Sequence, residues 1–141
     1  MADAVVATLI AETKDTLEFH LTCISDATGE AAVAKIVKAS YLADKASDGV
    51  ARAAPLALDI LSCRWAVQGF SSVKLLWDHT TDDVAMVLSG SGFQDFTTTG
   101  GKAAKCDPRS AGGTGDLLLT STGASATATY DISIVVRKSK V

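Results

Sequence analysis

The chain is poor in aromatic side chains and has no strong excess of charge of one sign. Only 6% of its 141 residues are Phe, Trp or Tyr, and its formal net charge is −3. Proteins that bind nucleic acid usually carry a strongly basic patch or domain, so the composition predicts no nucleic-acid partner. Because aromatic residues are few, the two tryptophans and four phenylalanines must anchor much of the core.

Long apolar runs are also missing. No segment approaches the roughly 20 apolar residues that a membrane-spanning helix needs. The N-terminal stretch MADAVVATLIAETKD lacks the basic start and long apolar segment of a secretory signal. We therefore expect that the protein is made in the cytoplasm and does not associate with a membrane. The length fits one domain over residues 1–141, which is large enough to bury a core without disulfides or metals.

The cysteines show no pattern of a disulfide framework or a metal site. Cys23, Cys63 and Cys106 are odd in number and widely spaced, with no CxxC pair and no Cys/His spacing. Cys23 and Cys63 lie inside strand patterns, where cysteine behaves as a small apolar residue. We therefore expect reduced thiols, two of them buried, and predict no metal and no cofactor.

Apolar and polar residues alternate over much of the chain, which is the pattern of half-buried strands. The segments that show it, or that are rich in β-branched residues, are 4–12, 17–23, 58–68, 73–77, 84–88, 116–122 and 127–137. Residues 30–42 are ambiguous, because alanine and lysine favour a helix whereas the tight turn before them favours a strand, which we prefer. The total of about eight strands predicts an all-β antiparallel sandwich or jelly roll.

The stretch Leu58–Leu88 holds both tryptophans and the densest apolar alternation. Consecutive antiparallel strands joined by short loops tend to pair, so we expect its three strands to form one β-meander. Trp65 and Trp77 fall on apolar faces and should be buried. Residues 43–55, which precede this stretch, should form an irregular crossover or a short helix.

No motif predicts an enzyme. His79 lies among three aspartates in residues 78–83, but the EF-hand calcium spacing is lacking, and a solvated hairpin loop explains the cluster better. His20 has no nucleophile motif to activate, and neither GxSxG nor HExxH occurs. Residues 112–115 lack the Gly-Lys-Ser/Thr and the following helix of a phosphate-binding loop, and predict a flexible approach to a strand. We expect no catalytic residues.

Residues 89–115 predict a long glycine-rich loop. Such loops are unusual in small domains and are often functional, which makes this one the candidate contact surface. Phe93 and Phe96 should fasten the loop to the body. Three positive charges of an otherwise acidic protein also lie in it, at Lys102, Lys105 and Arg109. These charges are either simply solvated or orient an acidic partner surface. The predicted partner contacts are these three basic residues together with the two phenylalanines.

A series of short motifs, spanning roughly residues 17 to 140, resembles small virion structural proteins of tailed phages, especially marine ones. The order of the motifs carries the similarity, since none is diagnostic alone. They are Asp26–Glu30, Trp65, Val67-Gln68-Gly69-Phe70, Leu75-Leu76-Trp77-Asp78, Leu88-Ser89-Gly90-Ser91-Gly92, Asp95, Gly100-Gly101, Thr114-Gly115-Asp116, Thr129-Tyr130-Asp131-Ile132 and Lys138. Cys106-Asp107-Pro108 and residues 43–55 depart from the pattern.

The resemblance implies a non-enzymatic capsid decoration or cement protein at the surface of the virion head. Such proteins bind the major capsid protein and are often trimers, so a trimer is the expected homo-oligomer. A tail or neck component is the nearest alternative. A glycan-binding or adhesin module on the same architecture is a second one, although it commonly needs exposed aromatic platforms and both tryptophans are expected to be buried.

Overall fold

The computed structural model describes residues 4–13, 16–38, 57–96, 105–106 and 112–139. Within these ranges the chain forms ten β-strands and no α-helix, so no described helix could cross a membrane. The strands are β1 (Ala4–Glu12), β2 (Thr16–Ile24), β3 (Val33–Ile36), β4 (Ala57–Gln68), β5 (Ser72–Trp77), β6 (Asp83–Leu88), β7 (Ser91–Asp95), β8 (Lys105–Cys106), β9 (Leu117–Thr122) and β10 (Thr129–Ser139).

Eight of the strands pair in a nested order. β2 pairs with β10, β3 with β9, β4 with β7 and β5 with β6, all antiparallel. The pairs alternate between two sheets, whose strand orders are β1-β2-β10-β4-β7 and β3-β9-β5-β6. This is a jelly roll, so the predicted all-β sandwich is confirmed. β1 extends the larger sheet at one edge, and β8 pairs with β4 at Asp59 and Ile60.

The prediction of one meander over Leu58–Leu88 is wrong. β4 lies in the larger sheet, and only β5 and β6 pair with each other. The chain changes sheet at Gly69, where φ is +79° and an added Cβ would lie 2.9 Å from the Cα of Ala128. Glycine is required here, because a side chain would combine the strain of a positive φ with this backbone clash.

Residues 89–115 are not loop throughout, which corrects a second prediction. Ser91–Asp95 forms β7 along β4, and Lys105–Cys106 forms β8. Serine and glycine have low strand propensity, so the composition concealed a strand that the pairing with β4 holds in place. Within residues 30–42, the preferred strand is confirmed for Val33–Ile36. The predicted crossover over 43–55 lies outside the described residues.

The core fills the space between the two sheets. Alternate residues of β2, β4, β5, β9 and β10 face inward, which removes their side chains from water and contributes about 1.5–3 kcal/mol for each large aliphatic residue. Trp77 is 1% exposed, as expected, whereas Trp65 is only partly buried against the core. The largest fully buried side chains among the described residues are Trp77, Tyr130, Leu17, Leu21, Ile36, Leu58, Ile60, Leu75, Leu88, Leu117, Leu119 and Ile132.

Candidate functional site

An exposed aromatic ring and a guanidinium form a pair on the outer face of the larger sheet. Phe93 of β7 is 56% exposed and faces Arg64 of β4 in register. The guanidinium carbon lies 5.2 Å from the centre of the phenyl ring. Cations are attracted to the negative face of an aromatic ring, an interaction worth about 0.5–1 kcal/mol at an exposed site. Strand pairing and this contact therefore hold both side chains in place at the surface.

Small side chains next to this pair leave an open hollow in the sheet face. Ala66, Ser91 and Gly92 lie beside Arg64 and Phe93 and contribute little volume above the backbone, and the hollow measures about 610 Å³. A second hollow of about 520 Å³ adjoins it and shares Ala66 and Ser91 with it. The second hollow extends over the ends of β2, β4 and β10. Together they form a shallow depression beside the exposed ring.

Asp131 provides a carboxylate at the border shared by the two hollows. Its Oδ1 lies 2.7 Å from Nε2 of His20 on the neighbouring strand. The two side chains are 61% and 39% exposed, so solvent screens the pair and it contributes little to stability. The hollow is thus bordered by an aromatic ring, a cation and an anion, which are groups suited to recognition.

The predicted contact residues are divided between the surface and the body. Phe96 is partly buried against the core, and its N–H donates to the carbonyl of Leu61 at 2.8 Å, so it fastens this segment as expected. Phe93 instead points outward. Lys102 and Arg109 lie outside the described residues, and for Lys105 the structure describes only the strand to which it belongs.

A buried polar cluster links the two sheets, and no sequence pattern predicted it. Glu30 Oε1 accepts a hydrogen bond from the hydroxyl of Tyr130 at 2.5 Å, and Glu30 Oε2 lies 2.5 Å from Nζ of Lys35. The side chains of Glu30 and Lys35 are 6% and 4% exposed. Tyr130 belongs to the larger sheet and Lys35 to the smaller one. The only signal in the sequence was a pair of charged residues around an alanine-rich segment.

Ser121 holds the backbone of Glu30 as well. The N–H of Glu30 donates to Ser121 Oγ at 2.9 Å, and the N–H of Ser121 donates to the carbonyl of Glu30 at 3.0 Å. Both carboxylate oxygens of Glu30, its N–H and its carbonyl therefore have partners within the fold. Buried charges with this degree of pairing are typical of a structural clamp.

The loop of residues 78–83 is exposed at Thr80 and Thr81, as expected, but His79 itself is buried and hydrogen-bonded, which the prediction of a solvated loop did not include. His79 is 8% exposed, and its Nδ1 donates to the carbonyl of Gly112 at 3.0 Å. Residues 112–115 lie against this loop, where Thr114 Oγ1 donates to Asp78 Oδ2 at 2.7 Å. In the part of the chain that the structure describes, no three His, Cys, Asp or Glu side chains come together as a metal site would require.

Comparisons with known proteins give no family for this chain. It matches no protein family, no curated protein and no solved structure. The geometry of the Phe93 surface and the order of the sequence motifs therefore carry the functional argument.

Proposed function

We propose that the protein is a non-enzymatic structural component of a phage virion, and specifically a decoration or cement protein that binds the major capsid protein at the head surface. The observation that carries the proposal is the exposed Phe93–Arg64 pair beside a hollow on a rigid sheet face. Aromatic and arginine side chains dominate the binding energy of many protein interfaces. The resemblance in motif order supports the choice of a virion partner.

The physics of the fold suits this role. A jelly roll is rigid and recurs among viral capsid proteins, and both side chains of the pair are fixed by strands rather than carried on a loop. A capsid repeats each binding site many times, so contacts that are weak individually add up to firm attachment.

The proposal is tested by adding the protein back to particles. Particles that lack it are mixed with the wild-type chain or with Phe93→Ser, and the bound protein and the resistance to heat and osmotic shock are measured. Wild-type protein should bind in many copies per head and restore resistance, whereas Phe93→Ser should bind weakly. Val84→Ser is the matched control, because Val84 is 51% exposed on the other sheet. Absence of the protein from purified virions refutes the proposal, and a few copies per particle favours a neck or tail position.

Glycan binding is a second candidate, and one observation favours it. The exposed face of Phe93 lies beside the same hollow as Asp131 and Arg64, and saccharides commonly stack on an aromatic ring while polar groups bind their hydroxyls. Trp77 is buried and supplies no such platform. A glycan array probed with the wild-type chain should then give binding that Phe93→Ala and Asp131→Asn each remove. An array without binding dismisses this candidate.

A further inference from the structure

Among the described strands, β1 forms a long edge of the larger sheet. It pairs with β2 on one side, and no other described strand pairs with it. From Ala4 to Ala11 it contains no charged residue. Edge strands in soluble proteins are usually kept short, charged or covered, because their unpaired N–H and C=O groups attract other strands. β7, at the opposite edge, has only five residues. The β1 edge is thus a template for further strand pairing.

The apolar side chains of β1 are exposed on both faces of the sheet. Val6 on the outer face is 55% exposed. Leu9 is 39% exposed although it lies opposite Phe19, which is buried in the core. Leu9 therefore points to the inner side of the sheet but is not fully covered there. A strand laid alongside β1 would shield both faces at once, whereas a partner on one face would leave the other in water.

We propose that β1 pairs antiparallel with β1 of a second copy of this chain across a two-fold axis, joining the two larger sheets into one continuous sheet. Directly opposed residues in an antiparallel pair share a face. At the axis, a residue must therefore lie opposite the same residue of the other copy, and not opposite the residue next to it in sequence. The register shift between Leu9 and Ala11 marks a bulge that ends the regular part of β1. Axes at Val6 and at Ala7 use the regular part equally, and we place the axis at Ala7 because, of the two, only that register includes the exposed Leu9.

With the axis at Ala7, Val5 lies opposite Leu9 of the other copy, and Val6 lies opposite Thr8. No charged side chain faces another, since the only charge in β1 is at Glu12, beyond the bulge. The exposed inner-face Leu9 gains an apolar neighbour in Val5, which is already partly buried against the core. Such an isologous contact closes on itself and yields a dimer rather than a fibre. It also differs from the trimer that the resemblance implies.

The oligomeric state tests the proposal directly. Sedimentation of the full chain over a wide concentration range should show a monomer–dimer equilibrium. Val6→Lys should abolish the dimer, because it places two positive charges in the joined sheet, while circular dichroism confirms that the variant is folded. Val84→Lys, at an exposed valine on edge strand β6, is the matched control and should leave the dimer intact.

Cysteine cross-linking tests the register, in a chain that carries Cys106→Ser and whose native Cys23 and Cys63 are buried. Ala7→Cys should form a disulfide-linked dimer, since the two Cα atoms at the axis lie about 4.5–5.5 Å apart, within disulfide range. Thr8→Cys should not, because its Cα atoms lie about 8 Å apart. A monomer at all concentrations, an oligomer that persists in Val6→Lys, or equal cross-linking at both positions overturns the proposal. Each outcome is independent of the capsid-binding result for Phe93→Ser.

Discussion

Replacement of Lys35 by methionine should cost about 3–5 kcal/mol of the free energy of unfolding, because it removes the cation from a buried ion pair. Glu30 would keep its hydrogen bond from Tyr130, but its Oε2 would lose the ammonium group 2.5 Å away. The Glu30 side chain is only 6% exposed, so water cannot take the place of Lys35. Methionine has a similar length and is apolar, which keeps the packing while deleting the charge.

Thermal unfolding converts this cost into a measurable shift. An unfolding entropy of about 2.1 cal/mol/K per residue means that each kcal/mol lowers the Tm of a chain of this length by about 3 °C. Lys35→Met should therefore lower the Tm by about 10–15 °C. Tyr130→Phe removes one hydrogen bond to the same carboxylate, worth about 1.5–3 kcal/mol, and should lower the Tm by about half as much.

A double-mutant cycle separates the ion pair from the packing. Glu30→Gln with Lys35→Met removes both charges and leaves an amide oxygen to accept from Tyr130. The double variant should be clearly more stable than the sum of the two single effects predicts, since no buried charge is left unpaired. Urea unfolding followed by circular dichroism measures all four proteins. Additive single effects, or a loss below about 1 kcal/mol for Lys35→Met, would refute the assignment of this cluster as the clamp between the sheets.

Three further predictions concern a buried thiol and two close approaches of the backbone. Burial raises the pKa of the Cys63 thiol from 9.0 to about 12, so Ellman's reagent should not modify it in the folded chain. Because the folded state retains a proton that the unfolded state loses, the free energy of unfolding should fall from pH 9 towards about 12, and less steeply in Cys63→Ala. Gly92→Ala would place a Cβ 2.5 Å from Cζ2 of Trp65, which should change the tryptophan fluorescence and cost about 1–3 kcal/mol on urea unfolding. Gly113→Ala combines a φ of +72° with a Cβ 2.3 Å from a backbone oxygen and should cost at least about 2 kcal/mol, clearly more than Gly90→Ala, where φ is +59° and nothing lies within 4 Å.

Strand positions could be predicted because their signal is local. The alternation in Leu17–Cys23 predicts β2 to within a residue at each end, and residues 4–12 predict β1. A half-buried strand needs an apolar side chain at every second position, and that requirement is visible in a short window. The choice of strand over helix for Val33–Ile36 depended instead on the preceding turn, since its composition alone favoured a helix.

Strand partners and the polar cluster could not be predicted, because their signals are distant in sequence. β10 lies between β2 and β4, so its neighbours come from near the start and the middle of the chain. Tyr130 and Glu30 are separated by 100 residues. Phe93 was predicted as a contact residue, but its strand was hidden by the serine and glycine around it. Its exposed orientation depends on the register with Arg64, which only the pairing fixes.

The nested pairing has a consequence for how the chain is made. β10 is the last strand of the described chain to leave the ribosome, yet it supplies the central strand of the larger sheet. Until it arrives, β2 and β4 each present an open edge to the other nascent chains on the same messenger. Contacts between such distant segments form slowly. A chain interrupted before Thr129 should therefore aggregate rather than fold in part, and we expect chaperones to bind the nascent chain until the final strand is inserted.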